Sequence, residues 1–263
     1  MDLQLTEKKA FISGSTQGIG LAIARQLLKE GVSVIINGRE VEKTIKAREK
    51  LQSEFPNLDI KAIAADFSKN EEVNKLLPQL TDVDILINNI GIFELKDFED
   101  ISDEDWYRIF EINVMGSVRL TRKILPEMLT RKWGRIVFIS SESGVNVPEN
   151  MIHYGMTKSA ITAVANGLSK RTKGTEVTVN TVVGGPTYSD GVSSVVETMA
   201  KAQNLEVDQM KDIILQQSNP HILLERFIKP NEIANLVTFL SSPLSVATNG
   251  ASLRADSGVL KTV

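Results

Sequence analysis

The sequence predicts an α/β protein built on one doubly wound, seven-stranded parallel sheet with helices on both faces. Three observations carry that expectation. Short apolar runs rich in Val and Ile recur along the chain, and stretches with apolar residues at helical spacing separate them. No proline- or glycine-rich linker, internal repeat or low-complexity tract interrupts the alternation. In chain order, 10–12, 32–36, 60–64, 83–87, 135–139 and 177–183 read as buried strands, and 251–255 closes the edge as the seventh. Helices are expected at 19–29, 41–55, 71–80, 103–130 and 157–172, and a single domain over 1–263.

The stretch 186–225 departs from this pattern, since it has no strand signal. Val192, Val195, Val196 and Met199 form one apolar stripe at helical spacing, and Val207, Met210, Ile213 and Ile214 form another. Two short amphipathic helices inserted after a sheet strand cap a pocket as a lid. The alternative is a plain excursion packed on the body.

Composition excludes several classes of function. Apolar residues at 42% and charged residues at 24% suit a globular protein with a full-sized core. A net charge of -3 offers no basic field for nucleic acid or anionic lipid. With no cysteine and only His153 and His221, disulfides and thiol chemistry are ruled out, and no metal site is expected. Residues 1–9 lack the apolar core of a secretory signal, and no window approaches a membrane-spanning length of uncharged apolar residues. The cytoplasm is the default compartment.

Chemistry begins at the first strand–helix turn, Ser13-Gly14-Ser15-Thr16-Gln17-Gly18-Ile19-Gly20. A helix N-terminus presents unpaired N–H groups and a partial positive charge, so a diphosphate can lie against it where no side chain intervenes. Gly14 allows the tight exit from the strand, Gly18 the approach of a ligand to the backbone, and Gly20 the packing of helix on sheet. Arg39 follows the second strand, where an acid would bind a ribose 2′-hydroxyl and a guanidinium favours a 2′-phosphate. A solvated arginine at a helix start is the alternative. Asp66, followed by Phe67, could accept a hydrogen bond from an adenine amino group or cap the next helix. Further along, Tyr154 and Lys158 stand four apart in a run whose Ala-rich continuation suggests a helix, so their side chains share one face. A fixed ammonium there would favour the phenolate and bring the phenol toward usable acid/base strength.

These elements, with Asn88-Asn89-Ile90-Gly91, Asn113, Ser140-Ser141, Asn180 and the ending from Glu225-Arg226-Phe227 to Gly258, together resemble the short-chain dehydrogenase/reductase family over essentially the whole chain. The resemblance implies a Rossmann fold and a nicotinamide dinucleotide, with Arg39 favouring NADP(H) over NAD(H). It implies a catalytic group of Asn113, Ser141, Tyr154 and Lys158. Tyr154 would exchange a proton with the substrate oxygen, Ser141 would hold that oxygen, Lys158 would lower the tyrosine pKa and bind the nicotinamide ribose, and Asn113 would hold a water linking Lys158 to solvent. Cofactor contacts would come from residues 14–20, Arg39, Asp66, Phe67, Asn89, Ile90, Gly91, Tyr154, Lys158, Gly185, Thr187 and Ser189. Family members commonly form tetramers through the helices after the fourth and fifth strands and the C-terminal segment, which implies a homotetramer.

The chain departs from the family pattern at three places. Ile90 replaces the usual alanine, Gly184-Gly185-Pro186 replaces the customary Pro-Gly pair, and Asp256-Ser257-Gly258 replaces Asp-Gly-Gly. The second change moves the expected carboxamide contact onto Thr187 and Ser189. The implied activity is hydride transfer between NADP(H) and a small carbonyl compound or secondary alcohol. A narrower version is a 3-oxoacyl carrier-protein reductase, favoured by basic Lys132 and disfavoured by Thr175 and the long lid. A different class is a catalytically silent dinucleotide-binding regulatory protein, against which the complete catalytic group stands. The substrate pocket is expected near Ile92, Phe93, the 144–153 loop and the lid stripes. Asn146, Glu149, Asn150 and His153 are its possible polar contacts, although His153 points about 100° around the helix from Tyr154.

Overall fold

The computed structural model describes residues 1–261; the last two residues of the predicted domain lie outside it. Strands Lys9–Ile12 (β1), Ser33–Gly38 (β2), Ile60–Ala64 (β3), Ile85–Asn88 (β4), Trp133–Ser141 (β5), Glu176–Gly184 (β6) and Ser252–Ala255 (β7) form one sheet in the order β3-β2-β1-β4-β5-β6-β7. Every neighbouring pair is parallel. The central strands are continuous apolar runs because both faces of the sheet are covered. Successive residues point to opposite sides, so Phe11, Ile35, Leu86 and Phe138 enter one core while Ile12, Ile36, Ile87 and Val137 enter the other.

Helices Gly18–Lys29 (α1) and Val41–Glu54 (α2) follow the first two strands, and Asn70–Leu76 (α3) follows the third. Asp103–Phe110 (α4), Gly116–Arg131 (α5) and Ile152–Ser169 (α6) lie between β4 and β6. Asp190–Gln203 (α7), Val207–Ser218 (α8) and Pro230–Ser241 (α9) complete the set. Ile23 and Leu27 of α1 join Ile233 and Val237 of α9 on one face. Leu120 and Ile124 of α5 join Ile161 and Ala165 of α6 on the other. Each of these buried Ile, Leu and Val side chains contributes roughly 1.5–3 kcal/mol by leaving water, and Ala165 less.

The structure refines several expected boundaries. The helix expected at 103–130 is interrupted by a π-helical turn, Glu111–Met115, whose wider spacing re-aims Asn113. The third helix is shorter than expected, giving way to a 3-10 turn at Leu77–Gln79, because Pro78 has no N–H to extend the ladder. Helix α6 begins at Ile152, early enough to carry both Tyr154 and Lys158. Helix α9 has no counterpart among the expected helices.

Helices α7 and α8 are the two expected between 186 and 225, and their stripes meet. Val196, Ala200 and Met210 are buried together, with Val192, Met199, Val207 and Ile214 packed around them. A second small cluster, Leu215, Ile222, Phe227 and Val259, ties the segment to the C-terminal tail. Among the described residues no helix is long and apolar enough to cross a membrane, and no group of His, Cys, Asp and Glu side chains is placed to hold a metal ion.

Candidate active site

A cavity of about 1000 Å³ opens at the carboxyl ends of the strands. It spans the point where the strand order reverses between β1 and β4, the position at which open α/β sheets bind ligands. One end is the glycine-rich turn. Asn37 shapes it: its Oδ1 accepts from Gly14 N–H at 3.1 Å, and its carbonyl accepts from Ser15 N–H at 2.7 Å. From the other side, Asn89 Nδ2 donates to the carbonyls of Ser13 at 3.1 Å and Gly14 at 2.8 Å. Gly14, Thr16, Gln17, Gly18 and Ile19 line the cavity.

Gly20 lies beneath the turn and does not line the cavity. A Cβ there would fall 2.4 Å from the Gly14 carbonyl oxygen and 2.6 Å from Asn89 Nδ2, so only glycine lets α1 approach the sheet this closely. Ser15 also departs from expectation. Its side chain is fully buried, donating to the Ile12 carbonyl at 2.7 Å and accepting from Asn37 N–H at 2.9 Å. Ser15 therefore braces β1 against β2 and does not face a ligand. A glycine-rich turn at the start of a twelve-residue helix fits a dinucleotide diphosphate.

At the outer end, Arg39 is exposed, with its Nε 3.7 Å from Glu40 Oε1, and Lys43 Nζ holds the same carboxylate at 2.9 Å. Two cations thus flank the rim with one acid between them, and the Lys43 hydrogen bond holds the Glu40 carboxyl below its ordinary pKa. Asp66 and Phe67 line the adjoining wall. Asp66 Oδ1 is held by the main-chain N–H of Ser68 at 2.9 Å and its hydroxyl at 2.7 Å, an Asx-type turn ahead of α3.

At the inner end the parallel strands β4 and β5 deliver Asn89, Ile90, Gly91, Ser140 and Ser141 to the cavity, and α6 delivers Tyr154 and Lys158. Ser141 Oγ accepts from Ser143 N–H at 3.1 Å. Its neighbour Ser140 turns away, donating to the Lys158 carbonyl at 3.0 Å. Lys158 Nζ donates to the Ile139 carbonyl at 2.9 Å and sits 5.5 Å from the Tyr154 ring centre, while Phe93 meets that ring edge-on at 6.2 Å.

Burial dominates the electrostatics of this pair. Desolvation pushes the Tyr154 phenol up to about 12; the hydrogen bond with Ser141 opposes the shift and the Glu142 carboxylate adds to it. Desolvation also brings Lys158 down to about 8. The tyrosine pKa therefore stands above its ordinary value, whereas the Tyr–Lys spacing alone suggests a lowered one. Exclusion of water from the phenolate outweighs what the neighbouring ammonium offers it.

Asn113 is fully buried on the π-helical turn. Its Oδ1 accepts from Ile92 N–H at 2.8 Å, and its Nδ2 donates to the Ile92 carbonyl at 2.9 Å and to Thr157 Oγ1 at 3.0 Å. The amide thus clamps the chain after β4 to α6. Gly185, Thr187 and Ser189 line the cavity beside Gly184 and Pro186. Gly185 is required there because a Cβ would meet the Asp256 Cα at 2.8 Å.

His153, expected as a possible polar contact, is absent from the cavity wall. It is fully buried with its ring edge-on to Trp106 at 5.9 Å, and burial lowers its pKa. Asn146, Glu149, Asn150, Ile92 and Phe93 do line the cavity. Two functional-looking acids escaped the sequence reading. Glu142, directly after Ser141, is buried in the wall with its carboxyl raised by desolvation. Asp190, the first residue of α7, reaches the glycine-rich turn, where its Oδ2 accepts from Gly18 N–H at 2.6 Å. The first could have been noticed from its adjacency to Ser141; the second depends on a contact across the fold that no local pattern encodes.

Comparison with known proteins bears on this geometry. The family model for short chain dehydrogenases matches residues 8–200. Uncharacterized oxidoreductase YvaG of Bacillus subtilis strain 168 is 42% identical over 263 residues, covering 100% of both chains. The 3-oxoacyl-[acyl-carrier-protein] reductase FabG of Aquifex aeolicus is 30% identical, covering 98% of this chain and 100% of its own. Among solved structures, L-sorbose reductase from Gluconobacter frateurii, complexed with NADPH and L-sorbose, superposes with a TM-score of 0.94 at 28% identity and covers 100% of both chains. Likeness of this extent, running from the glycine-rich turn through helices α7 and α8 to the last strand, makes the protein a member of the short-chain dehydrogenase/reductase family, oxidoreductases that work with a nicotinamide dinucleotide.

Proposed function

We propose that the protein transfers a hydride between NADP(H) and a small carbonyl compound or secondary alcohol, with Tyr154 as the general acid/base. The carrying observation is the convergence of Ser141, Tyr154 and Lys158 on one wall of a cavity whose far end is the glycine cradle and Arg39. When bound, the dinucleotide supplies or accepts the hydride. The cradle from Gly14 to Ile19 would hold its diphosphate, Arg39 its 2′-phosphate, and Thr187 and Ser189 its nicotinamide end. Ser141, oriented by Ser143 N–H, donates to the substrate oxygen as negative charge grows there. Tyr154 gives that oxygen its proton in reduction and takes it back in oxidation. Lys158 resupplies the phenol, and Asn113 fixes the wall against which both stand.

Within this class the cavity lining favours a hydroxylated carbonyl compound over a long acyl chain. Glu142, Asn146, Glu149, Asn150, Gln217 and Asn219 surround the inner end and the lid with hydrogen-bonding groups. The L-sorbose reductase named above supports that reading. The FabG relative and Lys132 support the carrier-protein alternative. Following NADPH oxidation with ketoses, aliphatic ketones and acyl thioesters decides between them. Tight NADPH binding with no turnover across all three would instead favour a regulatory protein that kept only the dinucleotide site.

Cofactor choice is tested at Arg39. Losing a charge-assisted hydrogen bond to a phosphate corresponds to roughly 1.5–3 kcal/mol, or about ten- to a hundredfold in affinity. Arg39→Asp is therefore expected to raise the KM for NADPH by at least about tenfold while the KM for NADH changes little. Equal effects on both cofactors would refute the 2′-phosphate assignment.

We further propose a homotetramer. An apolar groove of about 250 Å³ runs between α5 and α6, lined by Val118, Leu125, Pro126, Leu129, Val164 and Leu168, and it offers a surface for a second copy. Light scattering should give four times the 29.0 kDa chain mass; a monomeric mass would overturn it.

A further inference from the structure

The hydrogen bond between Gly18 N–H and Asp190 Oδ2 brings the lid into the dinucleotide site. At 2.6 Å it is short and charge-assisted, and it joins the first residue of α1 to the first residue of α7 across 172 positions of sequence. The two helix N-termini are packed closely: a Cβ on Gly18 would lie 3.3 Å from Ser189 Cβ and 3.8 Å from Asp190 Oδ2. Both helix ends carry partial positive charge, and the carboxylate sits where the two fields overlap. Gly18 belongs to the cradle assigned above to the diphosphate, so one N–H group faces two negatively charged claimants.

We propose that Asp190 is an intramolecular stand-in for the dinucleotide diphosphate, a latch that holds α7 against the glycine-rich turn until the cofactor displaces it. The proposal rests on the dinucleotide reading of the cavity and goes beyond it by coupling the lid to cofactor arrival. Asp190 is exposed, between Ser189 and Gly191 of the cavity lining, so an entering anion reaches it without opening the core. Displacement frees the start of α7, which carries Val192, Val195, Val196 and Met199, all of them in the cavity lining. Charging the site with cofactor then sets the shape of the substrate side.

The latch predicts a gain of affinity on mutation, the reverse of what damage to a binding site does. Asp190→Asn keeps an acceptor and loses the charge, whereas Asp190→Ala loses both. NADPH titration by fluorescence at low salt should show both variants binding roughly three- to tenfold more tightly than the wild type, the size of a removed charge at a helix end. Without cofactor, trypsin should cleave the lid of Asp190→Ala at Lys201 or Lys211 faster than that of the wild type. Unchanged or weaker NADPH binding in both variants overturns the latch. If the wild type binds neither NADPH nor NADH, the dinucleotide reading falls by itself. The proteolysis arm still judges the contact, and equal lid cleavage in Asp190→Ala and wild type overturns the latch independently.

Discussion

Tyr154→Phe is expected to lower turnover by roughly a hundred- to ten-thousandfold, the range of a positioned general acid/base, while leaving the dissociation constant for NADPH within about twofold. The substitution removes one oxygen from a half-buried ring and keeps its edge-on packing against Phe93. The glycine cradle and Arg39 lie at the other end of the cavity and are untouched. Loss of reduction of any accepted ketone, beside an intact fluorescence titration with NADPH, checks both halves; a variant that retains its rate refutes the mechanism.

The raised phenol sharpens this expectation. With its pKa pushed up to about 12, Tyr154 is protonated at neutral pH and ready to donate, so reduction needs no prior ionisation. Oxidation of the alcohol needs a proton acceptor. Lys158, brought down to about 8, is the group beside it that loses its charge in the working range. The kcat/KM for oxidation should therefore climb as pH rises through about 8, and reduction should not share that rise.

Lys158→Met is expected to abolish activity and yet stabilise the fold at neutral pH. The side chain is 5% exposed, and its amine titrates at about 8 in the folded protein against an ordinary 10.5 for a lysine in water. Between those values the unfolded chain binds more protons, so this residue's contribution to stability rises with pH from about 8 to about 10.5 and is least favourable below that window. The buried ammonium carries a penalty of about 3 kcal/mol at neutral pH. Methionine removes the charge, fills nearly the same volume, and forfeits the bond to the Ile139 carbonyl at 2.9 Å. A net gain of roughly 1–2 kcal/mol remains, or several degrees in Tm for a chain of this size. The gain should shrink steadily between pH 8 and 10.5. A Tm below wild type at pH 7, with no dependence on pH, would show that the ammonium is well solvated or well paired where it lies.

Sheet and cradle were legible because they are local. Runs such as Val34-Ile35-Ile36 and Ile85-Leu86-Ile87 have nowhere to go but a sheet buried on both faces, and a glycine three times in seven residues after such a run marks a turn under a helix. What escaped depends on three-dimensional neighbours. Ser15 belongs to the turn in sequence, yet the direction of its hydroxyl is decided by Asn37, more than twenty residues away. His153 sits beside Tyr154 in the chain and faces Trp106 in the fold. The phenol pKa is set by how much water the whole wall excludes, which a four-residue spacing does not record. The π-helical turn around Asn113 is likewise dictated by the Ile92 backbone that its amide grips.

The lid's apolar contacts form two small clusters apart from the two large cores that sandwich the sheet. On the proposed reading of this segment as a substrate lid, stability and selectivity are therefore written in separate parts of the molecule. Exchanging Val192 or Met199 disturbs a handful of neighbours and leaves the sheet's burial intact, so the lid can be rewritten by mutation without endangering the scaffold. New substrates would be reached first through such changes, with the proton-handling wall carried along unaltered.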